Sequence, residues 1–251
     1  VGQTEAPLVV KPYLGGLSDA QLFTVMVSGV ASISGSILAG YVMLGAELKY
    51  MLAASFMAAP GGLLMANIIL PDRENNISSS KDSSNFNMEP SSHKNVFLAA
   101  GSGAVDGLKL AVSIGTMLIA FVALIALVNG LIGWFSGLLG LNAILGVEAV
   151  TLELILGKIF QPVMFLLTIP WQEAEAAGIL FGEKLILNEF VAFSHFSDVL
   201  NGMSPRTLAV TTVSLCGFAN LSSIAVLLGA LGVLVPNKRE FIGQIGLRAV
   251  L

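Results

Sequence analysis

The chain has 251 residues, 55% hydrophobic and only 11% charged, with a mean hydropathy of +0.85 and a net charge of −4. A soluble domain carries about 25% charged residues, so this is the composition of an integral membrane protein. The small net charge leaves no footprint for nucleic acid, and a single cysteine, Cys216, excludes an intramolecular disulfide.

Residues 1–13 read as the far limb of a hairpin. The opening VGQTEAPLVV has no basic segment of the kind a signal peptide needs. It lacks an initial Met, and the chain stops inside an apolar helix, so a fragment of a longer protein is expected. Gln3, Thr4 and Glu5 are adjacent. On a helix they would point in three directions, but at a hairpin tip all three can reach one ligand with an amide, a hydroxyl and a carboxylate.

LGGLSD at 14–19 is a turn, with Ser18 or Asp19 to cap the next helix. An apolar run over about 21–44 carries GVASISGS, 29–36, at its centre. A second span at 49–70 is expected to be interrupted at Ala-Pro-Gly-Gly, 59–62, with a kink at Pro60. Residues 71–95 form a polar Ser/Asn-rich loop. The segment 96–112, with Asp106 and Lys109 on its polar side, is expected to lie along the interface. A separate spanning helix comes next at 114–135, with Asn129 its only strongly polar residue.

The apolar limbs 152–169 and 179–193 are short for full spans. Together they predict a re-entrant hairpin whose turn, 168–178, carries two exposed acids. His195 and Asp198 come after it in surface or capping roles. Ser204 caps, and Pro205 opens, a last long apolar run at 207–235; Pro236 to Arg239 ends it, and a final helix begins near Phe241.

The centre of that last run is GFANLSSI, 217–224. Small and polar residues there fit either a helix-packing face or a helix broken in mid-membrane, where a transporter binds its substrate. GVASISGS pairs with it: Gly29 with Gly217, Ala31 with Ala219, Ser32 with Asn220, Ser34 with Ser222. Each copy has a carboxylate upstream, Glu5 or Glu189. Weak internal symmetry of this kind favours the broken-helix reading. Glu189 stands in an apolar run, costly unless it faces a polar cavity or pairs with a cation such as Lys184. Asn220 and Ser223 share a helical face. Carboxylate, amide and hydroxyl together suit a diol such as a ribose.

GQTEAPL, ASISGS, SFMAAPGGLL, GEKLILNEFVAF and CGFANLSSI resemble, in order, motifs of the concentrative nucleoside transporter family. Its GxKxxxNEFVA[FYM] pattern is complete at 182–193. The resemblance covers nearly the whole chain and only the C-terminal portion of the family. It implies an all-α integral membrane protein, an inverted-repeat transporter with re-entrant hairpins and two discontinuous transmembrane helices. The division expected is 1–70 as the first transport-domain repeat and 71–95 as a loop. An interfacial helix plus a scaffold helix would occupy 96–138, and the second repeat 139–251, with its hairpin at about 150–194 and broken helix at about 205–235.

The resemblance further implies a cation-coupled nucleoside symporter that works by alternating access, as a homotrimer in the plasma (inner) membrane, without cofactor. Gln3, Thr4 and Glu5 would recognise the base beside Ile37. Glu189, Asn220 and Ser223 would hold the ribose, with Phe218 close by. Sodium would bind the carbonyls of Val1 and Ile33 and the hydroxyl of Ser32; a proton is the alternative coupling ion. An uncoupled channel or receptor is a second reading. An intramembrane enzyme using Glu5 and Glu189 is a third, disfavoured because no His/Cys set has zinc spacing.

Overall fold

In the computed structural model the described residues are 11–72 and 95–250, and all regular structure among them is helical. The described parts of 1–86 and 156–251 group into one unit, and those of 87–155 into a second.

The first unit opens with a helical turn, α1 (Lys11–Leu14), then α2 (Asp19–Ala31). Ser18 starts α2 through a reciprocal cap. Its hydroxyl accepts from the Gln21 N–H at 3.1 Å, and the Gln21 side chain accepts from the Ser18 N–H at 3.0 Å. The cap satisfies amides that a helix start otherwise leaves without partners. α2 ends at Ala31, residues 32–34 are not helical, and the chain resumes as α3 (Gly35–Met43).

α4 (Leu48–Ile69) has 22 residues and is long and apolar enough to cross a bilayer. The interruption expected at 59–62 does not occur; the helix runs through Pro60. Packing on α2 supports the helix beside the proline. A Cβ on Gly62 would stand 3.5 Å from the Ala31 Cβ and the Ser28 Cα. Phe56, Met57, Leu64 and Ile68 lie exposed along α4, a surface suited to hydrocarbon rather than water.

The second unit holds α5 (Val96–Leu138) and α6 (Leu141–Leu145). α5 is one helix of 43 residues, where an interfacial segment and a separate span were expected. Only Gly115 stands near the expected junction, and one glycine costs a helix about 1 kcal/mol, too little to break one this long. At about 1.5 Å per residue, α5 is roughly twice as long as the hydrocarbon is thick, so only part of it can span. Asn129 is fully used within this unit. It donates to both Glu153 carboxylate oxygens, at 3.0 and 2.9 Å, and accepts from the Leu152 N–H at 2.7 Å.

Next come α7 (Leu152–Leu166) and α8 (Trp171–Ile186), their axes turning by 118°. The turn is shorter than the sequence suggests, because α8 already begins at Trp171. Thr168 makes it with φ 75°. Neither acid beside it is free. Glu175 pairs with Lys158 at 2.5 Å. Glu173 accepts from the Ser204 N–H at 3.2 Å, from the Ser204 hydroxyl at 2.7 Å and from the Thr207 hydroxyl.

The second limb is also not continuous. α8 stops at Ile186, and after Leu187 and Asn188 the chain starts α9 (Glu189–Ser194) and α10 (Phe196–Val199). The remaining helices are α11 (Pro205–Leu215), α12 (Leu221–Leu234) and α13 (Arg239–Val250). Ser204 caps α11 from the position before Pro205, as the sequence predicts. One buried cluster joins α2, α12 and α13 through Phe23, Met26, Leu227, Leu231 and Ile242. Another joins α3, α8, α9 and α11 through Tyr41, Leu180, Phe193 and Leu215.

α7 and α8 meet through glycine. A Cβ on Gly178 would lie 2.9 Å from the Gly157 carbonyl oxygen and 3.0 Å from the Gln161 nitrogen, both backbone atoms that cannot rotate away. Gly178→Ala should therefore destabilise the protein by about 1–3 kcal/mol, the scale of core overpacking. Thermal unfolding in detergent checks this. Gly61→Ala, where an added Cβ meets nothing within 4 Å, should not lower the midpoint and, by removing a glycine from a helix interior, should raise it slightly.

Candidate functional site

Two interruptions in the helices lie against each other. The segment 216–220 between α11 and α12 places Gly217 at φ 108°. A Cβ there would stand 2.8 Å from the Ala31 carbonyl oxygen and 3.3 Å from that of Val30. The second interruption thus sits directly on the C-terminal end of α2, where the first begins. Only glycine allows this approach, because both the φ and the space exclude a side chain.

The pairing of the two copies needs correction. Gly29 lies inside α2, whereas Gly217 lies past the end of α11. Ser32 is the C-cap of α2, while Asn220 is the N-cap of α12. Ser34, the N-cap of α3, is the positional counterpart of Asn220. The interruptions differ in length, three residues against five, so a gapless match of short motifs lands out of step with the helix ends.

At the start of α12, Asn220 Oδ1 accepts from the Ser223 N–H at 3.0 Å. That bond orients the amide, and its Nδ2 donates to Glu189 Oε2 at 3.2 Å. The Ser223 hydroxyl contacts the Phe218 carbonyl and lies 3.1 Å from Asn220 Oδ1. With one proton it can donate to only one of them, and its lone pairs stay able to accept. Glu189 opens α9, whose N-cap, Asn188, accepts from the Val191 N–H at 3.0 Å. A carboxylate at a helix start is favoured by the backbone dipoles. Glu189, Asn220 and Ser223 are only 6%, 2% and 0% exposed.

The other Glu189 oxygen, Oε1, accepts from the Tyr41 hydroxyl at 3.2 Å. Sequence reasoning missed Tyr41. Its signal was faint: a phenol in an apolar run, one turn after Ile37, with a hydroxyl that burial obliges to find a partner. Lys184 makes no close salt bridge with Glu189, although the two charges attract; its ammonium donates to the Ser214 carbonyl at 3.3 Å, near the end of α11. Glu183 is buried and contacts His195 Nδ1 at 3.0 Å. The chain break after α8 brings His195, at the far end of α9, back over that acid.

Of the sequence-derived candidates, Glu189, Asn220 and Ser223 form one hydrogen-bonded chain. Phe218 is buried beside them, and Ile37 packs on the cluster that contains Tyr41. Ser32 and Ile33 lie in the first interruption, where the Ser32 hydroxyl donates to the Gly29 carbonyl at 3.0 Å. Val1, Gln3, Thr4, Glu5 and the loop residues 73–94 lie outside the described residues.

Comparison with known proteins shows that the family described as "Na+ dependent nucleoside transporter C-terminus" matches residues 50–251. The chain belongs to the Na+-dependent, concentrative nucleoside transporter family. Nucleoside permease NupC of Helicobacter pylori is 48% identical, across all of this chain and 58% of that protein. Sodium/nucleoside cotransporter 1 of Mus musculus is 34% identical, across all of this chain and 40% of that protein. The solved structure of CNTnw in an inward-facing, substrate-bound state is 45% identical, with a TM-score of 0.89, and this chain covers 58% of it. A CNTnw variant in an outward-facing state gives 0.90. The chain spans less than two thirds of each of these relatives. As a nucleoside transporter family member it is a membrane protein, and these relatives are named as transporters, not enzymes.

In a transporter of this family the Gly217 contact is testable. Gly217→Ala adds backbone strain of about 1–3 kcal/mol and pushes the two interruptions apart. It should lower the thermal unfolding midpoint in detergent by more than Gly202→Ala, which is strained at φ 78° but meets nothing within 4 Å.

Proposed function

We propose that the full-length protein is a cation-coupled nucleoside symporter, with sodium as the coupling ion, that imports nucleosides such as uridine by alternating access. The observation that carries the reading is the buried chain Tyr41–Glu189–Asn220–Ser223, set at the starts of two helices beside two helix interruptions. Buried polar groups so arranged, in a protein this apolar, suit a hydroxylated ligand better than a packing face.

In this reading Glu189, Asn220 and Ser223 hold the ribose, with Phe218 against it. Gln3, Thr4 and Glu5 read the base beside Ile37. Sodium sits at the end of α2, held by the Ser32 hydroxyl and the carbonyls of Ile33 and Val1. The last turn of α2 offers carbonyls without helical partners and the negative end of its dipole, which favour a cation. CNTnw is known in inward- and outward-facing states, which supports an elevator-like movement of a transport domain. The two interrupted helices would be discontinuous transmembrane helices of inverted repeats. α7 to α10 would supply a re-entrant hairpin, with Glu189 at the break in its second limb. The scaffold would include α5, and the assembly would be a multi-pass homotrimer in the plasma membrane. A proton is the alternative coupling ion.

Ion binding and nucleoside binding must then raise each other's affinity by the same factor. Ser32→Ala should raise the sodium concentration needed for half-maximal uptake, read from labelled uridine uptake in proteoliposomes at graded sodium. An unchanged sodium dependence would remove Ser32 from the ion site. Glu189→Gln keeps the shape but loses the charge, and a hydrogen bond to a charged group is worth about 1.5–3 kcal/mol. Uridine uptake should fall by roughly tenfold or more, and discrimination against 2′,3′-dideoxyuridine should shrink. Normal uptake with intact discrimination would refute the ribose role.

A further inference from the structure

We infer that Tyr41 is a positioning residue of the nucleoside site: its hydroxyl fixes the Glu189 carboxylate and ties it to the helix that begins at the first interruption. The inference rests on the reading of Glu189 as a ribose ligand.

Tyr41 is fully buried and grips α9 at two points. Its hydroxyl donates to Glu189 Oε1 at 3.2 Å. Its ring stacks on Phe193 with centroids 4.4 Å apart and planes 22° from parallel. Phe193 lies one turn after Glu189 on the same helix, so the phenol cannot swing its hydroxyl away without losing the stack. Phe190 closes a further side at 6.0 Å.

Lone-pair arithmetic sets what a ligand meets. An ionised carboxylate has about four acceptor sites. Tyr41 takes one on Oε1 and Asn220 takes one on Oε2, and the backbone N–H of Glu189 itself adds a further donor. The acceptor capacity that remains is fixed in direction for the hydroxyls of a diol. With both oxygens held, the carboxylate cannot rotate to satisfy a single hydroxyl equally well. Tyr41 thereby sharpens selection for a ligand with both ribose hydroxyls.

The same contact gives the ion a route to the ribose site. α3 starts immediately after Ser32, Ile33 and Ser34 and carries Ile37 and Tyr41 one turn apart. Fixing the end of α2 with a cation fixes the start of α3, and a short helix transmits that to the Tyr41 hydroxyl. The two donors to Glu189 come from opposite halves of the chain, Tyr41 from α3 and Asn220 from the start of α12. Tyr41 is the one that descends from the proposed ion site.

Tyr41→Phe removes the hydroxyl and keeps the ring. In the full-length protein reconstituted in proteoliposomes, KM for uridine should rise roughly tenfold, the scale of one hydrogen bond to a charged group. Transport of 2′,3′-dideoxyuridine should change little, so the ratio between the two nucleosides narrows. Added uridine should also shift the half-saturating sodium concentration less than in the wild type. On a Glu189→Gln background the same change should add almost nothing, because Tyr41 acts through that carboxylate. Binding of both nucleosides to purified protein by calorimetry gives the same comparison independently of expression. Wild-type protein that imports no nucleoside would overturn the functional reading itself. Wild-type import with an unchanged uridine to dideoxyuridine ratio in Tyr41→Phe would overturn this inference, as would equal losses for both nucleosides that add fully to those of Glu189→Gln.

Discussion

A carboxylate buried in an apolar protein is the constraint on which this structure turns. Leaving Glu189 without partners would cost several kcal/mol. The chain answers with two donors on separate oxygens, Tyr41 and Asn220, and with a place at the first turn of α9. Each donor is itself held: Tyr41 by its stack on Phe193, Asn220 by capping α12. The carboxylate is therefore both satisfied and oriented. In the proposed role, a ligand would meet a preset acceptor instead of ordering one, which lowers the entropic cost of binding.

The helix interruptions make that arrangement possible. A continuous helix satisfies its own backbone and has little to offer a ligand. Stopping α2 at Ala31 and α11 at Leu215 frees carbonyls, and restarting at Gly35 and Leu221 frees amides. The freed groups stay inside the protein because Gly217 lets one interruption rest on the other. Lys184 adds a fixed donor at the end of α11 through the Ser214 carbonyl.

Around this centre, acids act as fasteners. Glu173 binds the start of α11, where Ser204 and Thr207 meet its carboxylate. Glu183 holds His195 across the interruption that introduces α9. Glu153 satisfies Asn129 within the second unit. Exposed ion pairs contribute little, but these contacts sit at helix junctions, where a displaced carboxylate would leave the buried Thr207 hydroxyl and the half-buried Ser204 and Asn129 without these partners. Glycine fastens differently, by bringing α7 and α8 into backbone contact at Gly157 and Gly178.

The sequence by itself pointed to the membrane class, to breaks within two apolar runs, to a cap at Ser18 or Asp19 and another at Ser204, and to the grouping of Glu189 with Asn220 and Ser223. These come from local signals: composition, polar residues inside apolar runs, N-cap chemistry and helical spacing. Tertiary structure alone decided where helices continue or stop. Pro60 leaves α4 unbroken because α2 supports it, and 96–138 forms one helix because nothing within it favours a stop strongly enough. It also decided which partners the acids take, since those of Glu173 and Glu183 lie 31 and 12 positions away in the chain. Tyr41 belongs to the same class: its partner Glu189 is 148 positions further along. Contacts that distant leave no periodicity or motif in the chain, so only the fold brings the phenol to the carboxylate.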